Sequence, residues 1–124
     1  MKTKLFFFLL AGVLCLSSCN QSNEEFATSS DGLQISYTDQ GSGDIALVFV
    51  HGWSCDKSYW KNQVPVFSKN YRVITVDYGG HGNSGTDREN FTINSFGYDV
   101  VAVVDKLDLE NVILIGHSMG GEVI

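Results

Sequence analysis

Val112 to Gly121 reads VILIGHSMGG. Four apolar residues, three of them β-branched, run directly into a turn rich in glycine. A continuous β-branched run marks a strand covered on both faces, as the strands of a parallel sheet are. The residues that follow, Gly116-His117-Ser118-Met119-Gly120, have the pattern G-x-S-x-G. A serine hydroxyl is a poor nucleophile in a relaxed, solvated setting. On a sharp strand-to-helix turn its Oγ projects from the sheet toward a base. Gly116 and Gly120 fit such a bend because side chains there would collide with neighbouring backbone. The Met119 N–H, opening the next helix, is placed to stabilise a developing oxyanion. The bland alternative is a plain glycine-rich turn. The buried strand just before it favours the nucleophile at Ser118.

Two further motifs stand at the ends of predicted strands. His51-Gly52-Trp53 follows Ile45–Val50 (IALVFV). Gly52 lets backbone pass close to a ligand, and the Trp53 N–H offers a second oxyanion donor. His51 is expected to hold this loop by hydrogen bonds rather than to act as a general base. Asp77-Tyr78-Gly79-Gly80-His81-Gly82-Asn83-Ser84-Gly85 follows Val73–Val76 (VITV). Gly80 to Gly85 matches G-x-G-x-x-G, a dinucleotide fingerprint. Polar Thr86–Asn90 follows where a helix should open, and Asp99 and Asp105 fall inside a predicted helix rather than at a strand end. A dinucleotide site is therefore set aside.

Around these motifs strand and helix signals alternate. Leu33–Tyr37 (LQISY) alternates like a half-buried edge strand. Lys57–Lys69 carries Tyr59, Trp60, Val64 and Phe67 on one helical face, with Pro65 expected to kink or shorten it. Thr92–Leu109 is the clearer helix. Thr92 caps it, and Ile93, Phe96, Val100, Val103, Val104 and Leu107 form a buried stripe. Asp99, Lys106 and Asp108 are read as lying off that stripe. The order predicts an α/β fold: an open, mostly parallel sheet with right-handed crossover helices.

The N-terminus reads as an address. Lys2 and Lys4 precede Leu5–Leu16, an apolar run of 12 residues. That is too short to cross a ~30 Å hydrocarbon core but suits a signal peptide. Leu16-Ser17-Ser18-Cys19 resembles the lipobox of bacterial lipoproteins. The resemblance implies a leader over residues 1–18, lipid on Cys19 and a membrane-anchored protein of the bacterial cell envelope. Residues 19–31 are expected to form a flexible tether, because Asn20–Ser30 is polar and low in large apolar residues.

Composition narrows the classes. With 44% hydrophobic residues the chain is no disordered tail, and at 124 residues it holds one domain, residues 32–124. A net charge of −6 leaves no electrostatic footprint for nucleic acid. The chain holds 3 cysteines, and Cys55 alone lies in the domain, so no internal disulfide is expected there. Cys55 itself is read as a packed small residue rather than a reactive thiol. No His/Cys spacing resembles a zinc site, and no cofactor is expected. Asn90-Phe91-Thr92 matches a glycosylation sequon, a route that a bacterial leader argues against.

Taken together, His51-Gly52-Trp53, the Asp77-x-x-Gly80-x-Gly82-x-Ser84 loop and the Gly116–Gly120 elbow resemble the α/β-hydrolase superfamily, from about Gly32 onward. The resemblance implies a Ser-His-Asp/Glu hydrolase acting on a small-molecule ester, thioester or amide. Ser118 would be the nucleophile, with Trp53 and Met119 as oxyanion donors. Serine rather than aspartate at 118 points away from the carboxylate-nucleophile branches. Tyr78-Gly79 departs from the family's more usual apolar-Pro or apolar-Arg pair. In the family the acid and the histidine come later in the chain, and neither is matched here. His51, His81 and His117 are not expected to replace them. The reading therefore expects a fragment of a longer hydrolase, inactive and poorly soluble by itself. The alternative class is a non-catalytic envelope lipoprotein that keeps the fold as a binding surface.

Overall fold

Alternating side chains along a strand face opposite sides of a sheet, so a strand apolar at every position must be covered twice. In the computed structural model, which describes residues 24–124, this is the situation of β3 (Ala46–Val50), buried at all of its positions. Val48 and Val50 point into one core, and Leu47 and Phe49 into another. On β4 (Arg72–Val76), Ile74 and Val76 join the first core, and Val73 joins the second.

The sheet is completed by β1 (Glu24–Thr28), β2 (Gln34–Gln40) and β5 (Val112–Gly116), in the order β1-β2-β4-β3-β5. β3 pairs in parallel with β4 and β5, in a register that sets Val50 opposite Val76 and Gly116. β2 runs antiparallel to both β1 and β4. The first core is closed by α2 (Ile93–Lys106) through Phe96, Val100 and Val103. The second is closed by a 3₁₀ turn (Lys57–Trp60) and α1 (Val64–Phe67) through Trp60 and Val64. A last short helix, α3 (Gly120–Val123), follows β5.

The open, mostly parallel sheet agrees with the sequence reading, and several details correct it. The leader over 1–18 and the lipid on Cys19 lie outside the described residues. The tether expected over 19–31 does not extend to its stated end: Glu24–Thr28 is strand β1, bonded along its length to β2. β2 is thereby an inner strand rather than an edge, with Ile35, Ser36 and Tyr37 wholly buried. The helix read over 57–69 is split in two, with Pro65 in the first turn of α1. There its missing N–H is no loss. Thr92 does cap α2, in a reciprocal pair with Ser95. β5 ends the sheet among the described residues, and its Ile113 and Leu114 are exposed rather than covered.

Asp99 is the clearest correction. It lies within the buried stripe of α2, 0% exposed, not off it. Its carboxylate receives Arg88 Nη2 at 2.6 Å, Arg88 Nη1 at 2.9 Å, Ser29 Oγ at 2.6 Å and the Gly79 amide at 2.8 Å. Arg88 also binds Asp31 at 2.6 Å. Its hydrogen bonds to Asp99, then to Asp31, drive the Arg88 guanidinium further up from its ordinary range. This cluster joins the end of β1, the loop after β4 and α2. A second cluster anchors the start of β1. Glu24 receives Ser36 Oγ at 2.6 Å, Lys57 Nζ at 2.7 Å and Asn83 Nδ2 at 2.7 Å.

Removing one partner of a buried ion pair strands the other charge. Asp99→Ala is therefore expected to lower unfolding stability by about 3–5 kcal/mol in urea titration. The double replacement Arg88→Met/Asp99→Leu should recover most of that loss. A loss under ~1 kcal/mol in the single variant would contradict this role. The hydrogen bonds from Lys57, Ser36 and Asn83 depress the Glu24 carboxyl from 4.5 to about 2. The unfolded chain therefore takes up this proton first as pH falls. Stability from Glu24 should be full above about 4.5 and disappear as pH drops toward about 2. Across that window, acid unfolding of Glu24→Gln should show a shallower slope than wild type, and equal slopes would rule the contribution out.

Candidate active site

Ser118 sits where β5 gives way to α3. The β3–β5 ladder continues one step past the strand, with the His117 amide donating to the Val50 carbonyl at 3.0 Å. The chain then turns: Gly120 N donates to His117 O at 2.9 Å and Gly121 N to Ser118 O at 2.8 Å. Ser118 takes φ +53, the left-handed region. For a residue with a Cβ this is unfavourable by roughly 1–2 kcal/mol. The packing that enforces it is visible at Gly120. A Cβ there would meet the His51 carbonyl oxygen at 2.5 Å and the Val50 carbonyl carbon at 2.9 Å. The first turn of α3 thus lies directly on the end of β3.

The loop after β3 comes to the same corner. A Cβ on Gly52 would meet His117 Nδ1 at 3.1 Å and both the His117 carbonyl and Ser118 Cβ at 3.2 Å. Gly52 therefore brings the chain against the elbow, and Trp53 follows with its side chain 64% exposed. The Cys55 amide closes the loop onto the Gly52 carbonyl at 3.2 Å, and Ser54 is also left-handed at φ +55. Among the described residues, the N–H groups of Trp53 and Met119 donate to no backbone carbonyl. The structure therefore brings Ser118, Gly52 and the flanking Gly116–Gly120 turn together, with two backbone donors free of backbone partners.

The glycine loop after β4 folds onto itself. Gly80 N donates to Gly85 O at 2.9 Å and Ser84 N to His81 O at 3.0 Å. Irregular chain continues to Thr92, so no helix opens on these glycines. Ser84 Oγ fastens the loop to β2 by accepting from the Ser36 amide at 2.8 Å, and it donates to the Asp77 carbonyl. Asp77, wholly buried, accepts the Lys57 amide at 2.5 Å, Lys57 Nζ at 2.5 Å and the Asn83 amide at 3.0 Å.

Each of the three histidines is engaged elsewhere. His51 is wholly buried, its Nδ1 2.8 Å from the Gly52 carbonyl and its ring stacked on Tyr78 at 4.2 Å. Burial pushes it below the ordinary imidazole range. His81 approaches the Gly79 carbonyl at 3.1 Å and sets its ring beside Trp53 at 5.5 Å. His117 stacks on Tyr59 at 4.5 Å.

Two contributors escape sequence reasoning. Lys57 and Glu24 carry no local signal, because their partners lie 12 or more residues away. Lys57 is raised from its ordinary ammonium value. Burial pulls its titration down, but its bonds to Asp77 and Glu24 outweigh that. Tyr59, which the spacing sets on one helical face, is partly exposed and covers His117.

Comparison with known proteins agrees with this geometry. A family model described as alpha/beta hydrolase fold matches residues 45–124. The non-heme chloroperoxidase of Streptomyces lividans is 42% identical over 96 residues, which cover 76% of this chain and 35% of that protein. A bifunctional esterase/perhydrolase of Acinetobacter calcoaceticus is 35% identical over 98 residues, covering 77% of this chain and 36% of that protein. Among solved structures, a bromoperoxidase from Bacillus anthracis superimposes with a TM-score of 0.76 at 35% identity, covering 82% of this chain and 37% of that one. The chain thus spans little more than a third of the length of the relatives it matches. From the parallel sheet, the corner at Ser118 and these matches together, the chain belongs to the alpha/beta hydrolase fold family.

Proposed function

We propose that this chain carries the nucleophile and the oxyanion-binding arms of a serine hydrolase acting on an ester, thioester or amide. The observation that supports it best is Ser118 in left-handed backbone with the Gly52 loop packed against it. In this reading Ser118 Oγ attacks the substrate carbonyl carbon and gives its proton to a base. The carbonyl oxygen becomes an oxyanion between the amides of Trp53 and Met119, each such donor being worth about 10²–10³ in rate. Collapse expels the alcohol, thiol or amine, which takes up the proton. Water then cleaves the acyl-Ser118 ester, returning the serine hydroxyl and a carboxylic acid.

The base and its carboxylate partner are proposed to lie in the part of the family fold that the longer relatives have and these residues do not span. His51, His81 and His117 are each committed to other contacts. The names of two relatives, an esterase/perhydrolase and a chloroperoxidase, support a second acceptor for the acyl group. Hydrogen peroxide in place of water would release a peracid and the same free serine.

We further propose attachment to a bacterial membrane through lipid on Cys19. The supporting features are Lys2, Lys4, the apolar Leu5–Leu16 and the small residues before Cys19. Since β1 starts at Glu24, the lipid would hold the sheet within about 17 Å of the membrane surface.

Two measurements test these readings. A fluorophosphonate probe applied to the full-length protein should add its mass to the peptide bearing Ser118, and Ser118→Ala should take up none. An unmodified Ser118 peptide in wild type would contradict the mechanism. Mass spectrometry of the N-terminal peptide isolated from membranes should show a lipid-modified Cys19, and an unmodified mature N-terminus would contradict the anchor.

A further inference from the structure

Asp77 stands between two basic groups on different oxygens. Lys57 Nζ is 2.5 Å from Oδ2, and His51 Nε2 is 3.8 Å from Oδ1. His51 and Asp77 are both fully buried. The His51 contact is too long for a hydrogen bond, and Nε2 has no partner among the described residues. The other ring nitrogen explains why. Nδ1 lies 2.8 Å from the Gly52 carbonyl, which can only accept, so Nδ1 carries a proton. In a neutral ring Nε2 is then a bare lone pair, and it is repelled by the carboxylate oxygen it faces.

A buried carboxylate 3.8 Å away would ordinarily pull a proton onto that lone pair. Asp77 is, however, already engaged. It accepts both the amide and the ammonium of Lys57, and the Asn83 amide. The remaining groups that face the ring are few. Tyr78 stacks on it at 4.2 Å, with its own hydroxyl donating to the His51 carbonyl at 3.2 Å and pushed up to about 12 by burial. His81 lies at 5.4 Å and disfavours a second positive charge. Asp56 acts weakly in the opposite sense, and Glu24 reaches the site through Lys57 and Asn83.

We propose that Lys57 is a positioning residue: by holding the Asp77 carboxylate, it keeps His51 a neutral imidazole protonated on Nδ1 and so keeps that ring bonded to the Gly52 carbonyl. The consequence for catalysis rests on the proposed function, in which Gly52-Trp53 forms an oxyanion arm. The proton assignment does not. Without the ammonium, Asp77 becomes an uncompensated buried charge beside Nε2. A proton on Nε2 relieves it and creates an Nε2–H to Oδ1 bond, drawing the ring away from Gly52.

The test is nitrogen NMR of the full-length protein labelled at histidine, with resonances assigned through His81→Gln and His117→Gln. In wild type at neutral pH, His51 should show a protonated Nδ1 and a bare Nε2, titrating below about 6.5. Lys57→Met should raise that midpoint by about 1 pH unit or more, and Lys57→Arg should restore it. An unchanged midpoint in Lys57→Met, including the case where Asp77 takes the proton itself, overturns the proposal. Should Lys57→Met fail to fold, the wild-type spectrum decides: a proton on Nε2 at neutral pH overturns it, and a bare Nε2 supports it. Failure of Ser118 to react with the fluorophosphonate would remove the proposed function and leave this assignment standing.

Discussion

The structure turns on one crowded corner. The ends of β3 and β5 and the first turn of α3 meet so closely that Gly120 has no room for a Cβ against Val50 and His51. Gly52 is also close, with 3.1–3.2 Å from an added Cβ to His117 and Ser118. Ser118, which carries a side chain, is held at this point in left-handed backbone. A strained residue persists only where its surroundings over-determine it. Here the β3–β5 ladder, continued to His117, and the α3 turn do so from both sides.

That corner needs a rigid frame, and much of it is ionic. Tyr78 anchors the loop after β4 in the first core, and charge pairs fix the rest of the loops after β3 and β4. Lys57 draws Asp77 and Glu24 together, and Arg88 draws Asp99 and Asp31 together. The two clusters hold opposite ends of β1. A strand with exposed Phe26 and two glutamates is thus tied into the sheet mainly by its ladder and these anchors. Buried pairs of this kind contribute little net stability against an apolar alternative, but they penalise any arrangement that separates them. They therefore act chiefly to select one loop geometry.

This division explains what the amino-acid sequence discloses. β3, β4 and the stripe of α2 are legible because burial on a sheet or helix face leaves a periodic apolar record. The elbow and the Gly52 loop are legible because close backbone approach demands glycine at set spacings from a strand end. β1 is not legible, since EEFAT has neither strong alternation nor strand-forming residues throughout, and its partner β2 supplies the reason it is a strand. Asp99 escapes the periodic pattern for a related cause. A carboxylate on an apolar stripe reads as exposed until Arg88, 11 residues away, is seen to neutralise it. Lys57 leaves no trace for the same reason: its three partners come from three separate segments.

The most direct measurement is a crystal structure of the protein after reaction with a phosphonate that mimics the tetrahedral intermediate. The account requires the phosphorus on Ser118 Oγ, Ser118 still at positive φ, and the phosphonyl oxygen about 2.7–3.1 Å from the amides of both Trp53 and Met119. Attachment at another residue, or an oxygen turned to solvent with Ser118 in extended or helical backbone, would contradict it.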